Sequence, residues 1–256
     1  MSKQRRVSRS TGRVYIVGAG PGAPGLMTLR GSEALSKADV VVYDRLVGKG
    51  ILSMMPRKAR KVDAGKSGEH HRLEQSQINE LMAECAVSGK VVVRLKGGDP
   101  FLFGRGAEEA AFLAEHGIPF EVIPGVTSAT AVPAVAGIPV THRDIVSTLT
   151  IVTGHESPSD KGERVDWEKL ARLKSTIVVL MGAKNLATIA EELVRGGKPA
   201  TTPVAVIEKG THPDQVTIVG TLGDIARKVS RARVKPPIII VIGDVVRFRE
   251  RLKVRH

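Results

Sequence analysis

Short apolar runs punctuate the chain, and between them the apolar positions spread out to helical spacing. VYIVGAG (Val14–Gly20), DVVVYD (Asp39–Asp44), KVVVRL (Lys90–Leu95) and PFEVIPG (Pro119–Gly125) are rich in β-branched residues and end in glycine, proline or a charge, which predicts buried strands. Gly25–Lys37, Arg72–Ser88, Ala107–His116 and the small-residue stretch Thr127–Ala136 read as helices; in the second, Leu73, Ile78, Leu81 and Met82 form the apolar stripe. GIPVTHRD (Gly137–Asp144) interrupts the pattern with glycine, proline and charge. Beyond it lies a second set: TLTIVTG (Thr148–Gly154), TIVVLMG (Thr176–Gly182), a helix over Asn185–Arg195, PVAVIEKG (Pro203–Gly210), VTIVGTL (Val216–Leu222) and PPIIIVIGDVV (Pro236–Val246). Alternation of this kind predicts an α/β protein of two domains with mainly parallel sheets. The expected division is a tail over 1–13, an N-terminal domain over 14–138 and a C-terminal domain over 139–256, with a ligand cleft between the two lobes.

The string RLKGGDPFLFGRG (Arg94–Gly106) carries the most chemistry. It ends a predicted strand in Gly97 and Gly98, where backbone can approach a ligand, followed by Asp99 as an acceptor. Phe101, Leu102 and Phe103 add apolar surface, and Arg105, between two glycines, adds a cation. In open α/β sheets ligands bind beyond the carboxyl ends of strands, and this composition suits a ligand with both polar and apolar parts.

VGAGPGAPG (Val17–Gly25) satisfies G-x-G-x-x-A through Gly18, Gly20 and Ala23. A dinucleotide turn needs N–H groups for a pyrophosphate, however, and Pro21 and Pro24 remove two of them. Asp44 closes the second strand and Lys66 sits in DAGKSG (Asp63–Gly68). A carboxylate and an ammonium at strand ends can act as base and acid, or they can form a surface ion pair; spacing alone favours the ion pair. His70 and His71 are adjacent and poorly placed as a metal pair. Met181, before Gly182, is either core or the cover of a flat ring.

Charge changes the picture only once it is located. The 256 residues carry a formal net charge of +13. Five basic residues and no acidic ones fall in 1–13, and ten basic against two acidic in 227–256, so the body from Val14 to Ala226 is neutral. Basic ends of this kind bind polyanions weakly, and 3% aromatic residues is little to stack on bases. Within the body, Asp44–Arg105 has twelve basic against seven acidic residues, which favours a small acidic substrate. No apolar run approaches the roughly 20 residues of a membrane span. The N-terminus lacks the apolar stretch of a secretory signal. A single cysteine, Cys85, fits a cytoplasmic protein, and no Cys/His cluster has metal-ligand spacing.

Taken together, VGAGPGAPGLMTLRG (Val17–Gly31), ADVVVYDRLV (Ala38–Val47), the Gly65–Lys66 pair, RLKGGDPFLFGRG and GIPFEVIPGVTSATAVPAVAGIPVTHR (Gly117–Arg143) resemble the uroporphyrinogen-III C-methyltransferases of the tetrapyrrole (precorrin) methylase family. TGH (Thr153–His155), Met181–Gly182, TPVAVIEKGT (Thr202–Thr211), Gly220–Leu222 and IGDVV (Ile242–Val246) extend the likeness over nearly all of Val14–Leu252. The resemblance implies a homodimeric methylase that binds S-adenosylmethionine and methylates uroporphyrinogen III at carbons 2 and 7, giving precorrin-2 for sirohaem, cobalamin and related pathways. It also implies that Pro21, Gly97, Gly98, Asp99, Leu102, Thr127, Ser128, Met181 and Ala205 line the cofactor pocket. Asp44 would accept a proton and Lys66 donate one, with Arg45 and Arg105, like Lys66, near the carboxylates of the substrate.

Val135 and Leu180 stand where tyrosine is common in the family, and the fused dehydrogenase–chelatase half of some relatives is expected to be absent. Three rival readings remain: a sister methylase acting on a later corrinoid, a ribosomal-RNA methylase of the same fold, and a non-enzymatic basic protein. YDRLV argues against the first, the cleft-like motifs of VYDRLV and GRG against the second, and the neutral body against the third.

Overall fold

The computed structural model describes residues 11–65, 73–155 and 165–252. It divides into two compact units, Met1–Thr127 and Ser128–His256.

In the first unit β1 (Arg13–Gly18) leads through a 3-10 turn, Pro24–Leu26, into α1 (Leu29–Ser36). The expected helix from Gly25 begins only at Leu29, because Pro24 holds the preceding turn and the Thr28 hydroxyl caps the helix by accepting from the Gly31 N–H at 3.1 Å. β2 (Val40–Tyr43), α2 (Lys49–Leu52), β3 (Arg60–Asp63), α3 (Gln75–Val87), β4 (Val91–Lys96), α4 (Gly106–Glu115) and β5 (Phe120–Ile123) follow. Glu74 and Gln77 form a reciprocal capping box that starts α3.

The sheet order is β3-β2-β4-β1-β5, every pair parallel. Side chains alternate between its faces. Tyr15, Val17, Val41, Val93 and Leu95 pack with Ala34 and Leu35 of α1, while Val14, Ile16, Val42 and Val92 pack with Ile78 and Met82 of α3 and Leu113 of α4. β1 and β4 are neighbours whose following helices lie on opposite faces. Beyond their paired carboxyl ends the chain therefore leaves to opposite faces, which is the switch point where such sheets bind ligands.

The second unit holds α5 (Ser128–Val135), β6 (Leu149–Thr153), α6 (Trp167–Arg172), β7 (Thr176–Leu180), α7 (Leu186–Arg195), β8 (Pro203–Glu208), β9 (Val216–Thr221), α8 (Ile225–Ala232), β10 (Ile238–Ile242) and α9 (Phe248–Leu252). Its sheet, β6-β7-β10-β8-β9, is mixed: β6–β7 run parallel and the other three pairs antiparallel. The connection from β8 to β9 is too short for a crossover and folds back as a hairpin, which reverses direction there. Helices α6 and α8 are not among the expected elements: α6 has only six residues, and α8 carries its apolar stripe, Ile225 and Val229, in a stretch whose basic residues dominate the reading. The units part between Thr127 and Ser128, not between 138 and 139, because α5 packs against β7 and β10 of the second sheet. Gly137 closes that helix and does not separate domains. No helix among the described residues is long and apolar enough to cross a membrane.

Candidate active site

In the first unit, the turns after β1 and β4 are joined backbone to backbone. The Gly20 N–H donates to the Gly98 carbonyl at 3.1 Å and the Gly98 N–H to the Gly20 carbonyl at 2.7 Å. Both glycines sit in the left-handed region, φ +77° and +68°, where a side chain is strained. Gly125, after β5, closes the group: a Cβ on it would lie 2.3 Å from the Gly98 carbonyl oxygen and 2.6 Å from Gly18 Cα. Three strand ends thus meet through bare backbone, and Gly97, Gly98 and Gly125 remain half-exposed.

Asp99 fastens this arrangement. Its Oδ1 accepts from the Phe101 N–H at 2.9 Å, and its Oδ2 accepts from the Gly125 N–H at 3.0 Å. The sequence suggests an acceptor for a ligand; the geometry makes Asp99 first the staple between the β4 and β5 turns. Phe103 and Arg105 lie at φ +53° and +59°, a strained backbone that lifts Phe101 and Phe103 out, 55% and 43% exposed. Leu102 and Pro21 are half-buried on the same two turns.

Asp44 follows β2, the neighbour of β4, and its side chain is 32% exposed. Beneath it lies an ionic group that the apolar reading of KVVVRL overlooked. Arg94 Nη2 donates to Asp44 Oδ1 at 2.5 Å, and Arg94 Nε donates to Glu109 Oε1 at 2.9 Å. Lys96 Nζ donates to the same Glu109 oxygen at 3.0 Å and stands 3.9 Å from Asp44 Oδ2. Arg94, Lys96 and Glu109 are all buried. Burial alone would lower the affinity of Arg94 for its proton, but the carboxylates of Asp44 and Glu109 outweigh it and the pKa rises. Burial, then the nearby Arg94, lowers that of Lys96. The signal was present in the sequence: two cations at alternate positions of a buried strand place both on one face, and neither survives there unpaired.

The other candidates fall as follows. Arg45 is exposed directly after Asp44. Arg105, also exposed, grips Glu108 with both Nε and Nη2, the latter at 2.6 Å. Thr127 ends the first unit, half-buried. Lys66, His70 and His71 lie outside the described residues, so the pairing of Lys66 with Asp44 is not placed. Among the described residues no group of three His, Cys, Asp or Glu side chains is arranged to hold a metal.

In the second unit, Gly154 and Gly182 end β6 and β7 in contact, and Asn185 Nδ2 donates to the Gly154 carbonyl at 2.7 Å. Met181, directly before Gly182, is at φ +58° and half-exposed, so its thioether is not core. Leu180, at the family's tyrosine position, is buried, and Val135 is 36% exposed. Ala205 is fully buried on β8, across from Val241. Ser128 opens α5, half-buried.

The model of the family described as Tetrapyrrole (Corrin/Porphyrin) Methylases matches residues 13–226. The chain is 52% identical to the S-adenosyl-L-methionine-dependent uroporphyrinogen III methyltransferase of Methanosarcina barkeri, over 95% of this chain and 96% of that one. It is 51% identical to the uroporphyrinogen-III C-methyltransferase of Methanocaldococcus jannaschii, over 92% and 97%. Among solved structures, the uroporphyrin-III C-methyltransferase of Thermus thermophilus complexed with S-adenosyl homocysteine superposes with a TM-score of 0.79 at 40% identity, covering 92% of this chain and 99% of that one.

Proposed function

The chain belongs to the tetrapyrrole methylase family, and from that premise we propose that it transfers methyl groups from S-adenosylmethionine to carbons 2 and 7 of uroporphyrinogen III, giving precorrin-2. One observation carries the reading: a half-open carboxylate, Asp44, is fixed on buried Arg94 at the end of β2, beside strand ends that present bare backbone.

That backbone suits the cofactor. A Cβ on Gly125 would drive into the Gly98 carbonyl, so the surface is kept free of side chains where a ligand must come close. Pro21, Gly97, Gly98, Asp99, Leu102, Thr127, Ser128, Met181 and Ala205 would hold it. When bound, S-adenosylmethionine supplies a sulfonium methyl group and leaves as S-adenosylhomocysteine.

Each pyrrole carbon that gains a methyl group must be balanced by a proton lost from the tetrapyrrole. Asp44 is the acceptor in this reading, held in one orientation by Arg94; Lys66, the donor, protonates the ring at a second position as its double bonds shift, and a further ring proton goes to solvent, so one is lost overall. Arg45 and Arg105 meet the carboxylates of the substrate. A pyrrole carbon is already nucleophilic, so alignment is the main demand on the protein. The same reading makes the enzyme a cytoplasmic homodimer whose product feeds the sirohaem and cobalamin branches.

The test is incubation of the pure protein with uroporphyrinogen III and methyl-labelled S-adenosylmethionine. Two labels per tetrapyrrole are expected. A protein that binds S-adenosylhomocysteine by calorimetry yet labels no uroporphyrinogen acts on another substrate.

A further inference from the structure

Glu109 is the most deeply buried charge of the ionic group and touches no part of the surface. Its Oε1 accepts three hydrogen bonds, from Arg94 Nε at 2.9 Å, Lys96 Nζ at 3.0 Å and Gln75 Nε2 at 3.1 Å. Its Oε2 has no hydrogen-bond partner among the described residues. A carboxylate is costly to bury, and α4 needs none to pack on a sheet: Ala110 and Leu113 already do so.

What Glu109 changes is the charge that Asp44 meets. Without it, Arg94 and Lys96 would share Asp44 as their one carboxylate among the described residues, and two cations close to one carboxylate oppose its taking up a proton. With it, two cations and two carboxylates balance. Among the described residues the other charged neighbours named at the site are outward: Glu108, on the same helix, is committed to Arg105, and Arg45 is exposed. From α3, the facing groups Gln75 and Asn79 are neutral and bonded to each other at 3.0 Å.

We propose that Glu109 is a positioning residue that balances the charge beneath Asp44, by neutralising the second of two buried cations through its shared bonds to Arg94 and Lys96. The inference rests on Asp44 being the proton acceptor. Burial and Arg94 lower the pKa of Lys96, and Glu109 and Asp44 work against that lowering.

The experiment measures single-turnover methylation of uroporphyrinogen III, with S-adenosylmethionine pre-bound, across pH in three variants. Glu109→Gln leaves the site one positive charge in excess. Its acid limb, where the rate rises as Asp44 loses its proton, should move to lower pH, and the plateau rate should fall about 10-fold, short of the roughly 10²–10⁴-fold worth of the base itself. Lys96→Met leaves one negative charge in excess, and the limb should move to higher pH. The double variant restores balance and should return the limb to the wild-type position. A packing role alone moves neither limb and gives no restoration.

S-adenosylhomocysteine binding reports that each variant is folded. Should Glu109→Gln fail to fold, Lys96→Met and the double variant carry the test. Limbs that stay in place in folded variants, or that move in the same direction in both single variants, overturn the proposal. Asp44→Asn serves as the reference: if it methylates within a few-fold of wild type, the proton-acceptor reading is what fails. If it is inactive while the limbs stay in place, only the role of Glu109 is lost.

Discussion

The guanidinium of Arg94 meets the carboxylate of Asp44 at 2.5 Å, one buried and the other 32% exposed. The pair thus connects the inside of the first unit to its surface, with the buried partner fixing where the exposed oxygen points. A surface ion pair contributes little; an anchored one aims a functional group.

Asp44→Asn should retain S-adenosylhomocysteine affinity and lose methyl transfer by about 10²–10⁴-fold, because the carboxamide keeps the shape but cannot accept a proton. Single-turnover rates with the cofactor pre-bound exclude product release. A rate within a few-fold of wild type would make Asp44 structural only.

Arg94→Met should destabilise the protein by about 3–5 kcal/mol, the usual cost of stripping one partner from a buried ion pair. Glu109 keeps Lys96, but Asp44 loses its anchor. Denaturant midpoints measured on the full chain provide the check, and a loss below about 1 kcal/mol would mean that the guanidinium is dispensable to the fold.

Gly125→Ala puts a methyl group where Gly98 O and Gly18 Cα already lie, 2.3 and 2.6 Å from the new carbon. Backbone cannot yield as a side-chain tip does, so about 1–3 kcal/mol of stability should be lost. Cofactor affinity should fall at least about ten-fold as the turns separate, equivalent to about 1.4 kcal/mol. Calorimetry with S-adenosylhomocysteine measures this, and unchanged affinity would place the cofactor elsewhere.

Asp99→Asn should weaken cofactor binding and stability together, the latter by about 1.5–3 kcal/mol, since one charge-assisted acceptor of the Phe101 and Gly125 N–H groups is lost. Binding lost at unchanged stability would instead make the carboxylate a direct ligand contact.

Removing Met1–Ser10 should leave methylation at physiological salt unchanged while reducing retention on heparin. The body of the chain is neutral, and charges beyond about 8–10 Å are screened there. A folded, inactive truncation would make the tail part of the site.

The first unit was largely legible because its sheet is parallel throughout: β1, β2 and β4 are continuous apolar runs, whereas the charged edge strand β3 and the single turn α2 gave no such signal. The second was less so. The order of β10 between β7 and β8 depends on pairing across distant segments, which alternation of elements does not encode. Gly97, Gly98 and Asp99 announced a special turn, but not that Asp99 gives one oxygen to the Phe101 N–H and the other to that of Gly125, a contact 26 positions away. Arg94 and Lys96 were visible as letters and hidden as chemistry: their partner Glu109 lies on a helix whose spacing gives no hint of which side chain faces the sheet. Lys66 remains a matter of resemblance.

The alternation along β4 has one more consequence. Val93 and Leu95 face hydrocarbon, whereas Arg94 and Lys96 face their carboxylates on the opposite side. A strand of valines and leucines alone could slide by one residue between β1 and β2 at little penalty, since either face would accept it. With two cations in the strand, the same slip thrusts both charges into oil and turns two hydrocarbon side chains toward Glu109. The mispaired sheet is thereby excluded during assembly, and the group that aims Asp44 also makes certain that the strand beneath it can be threaded in only one way.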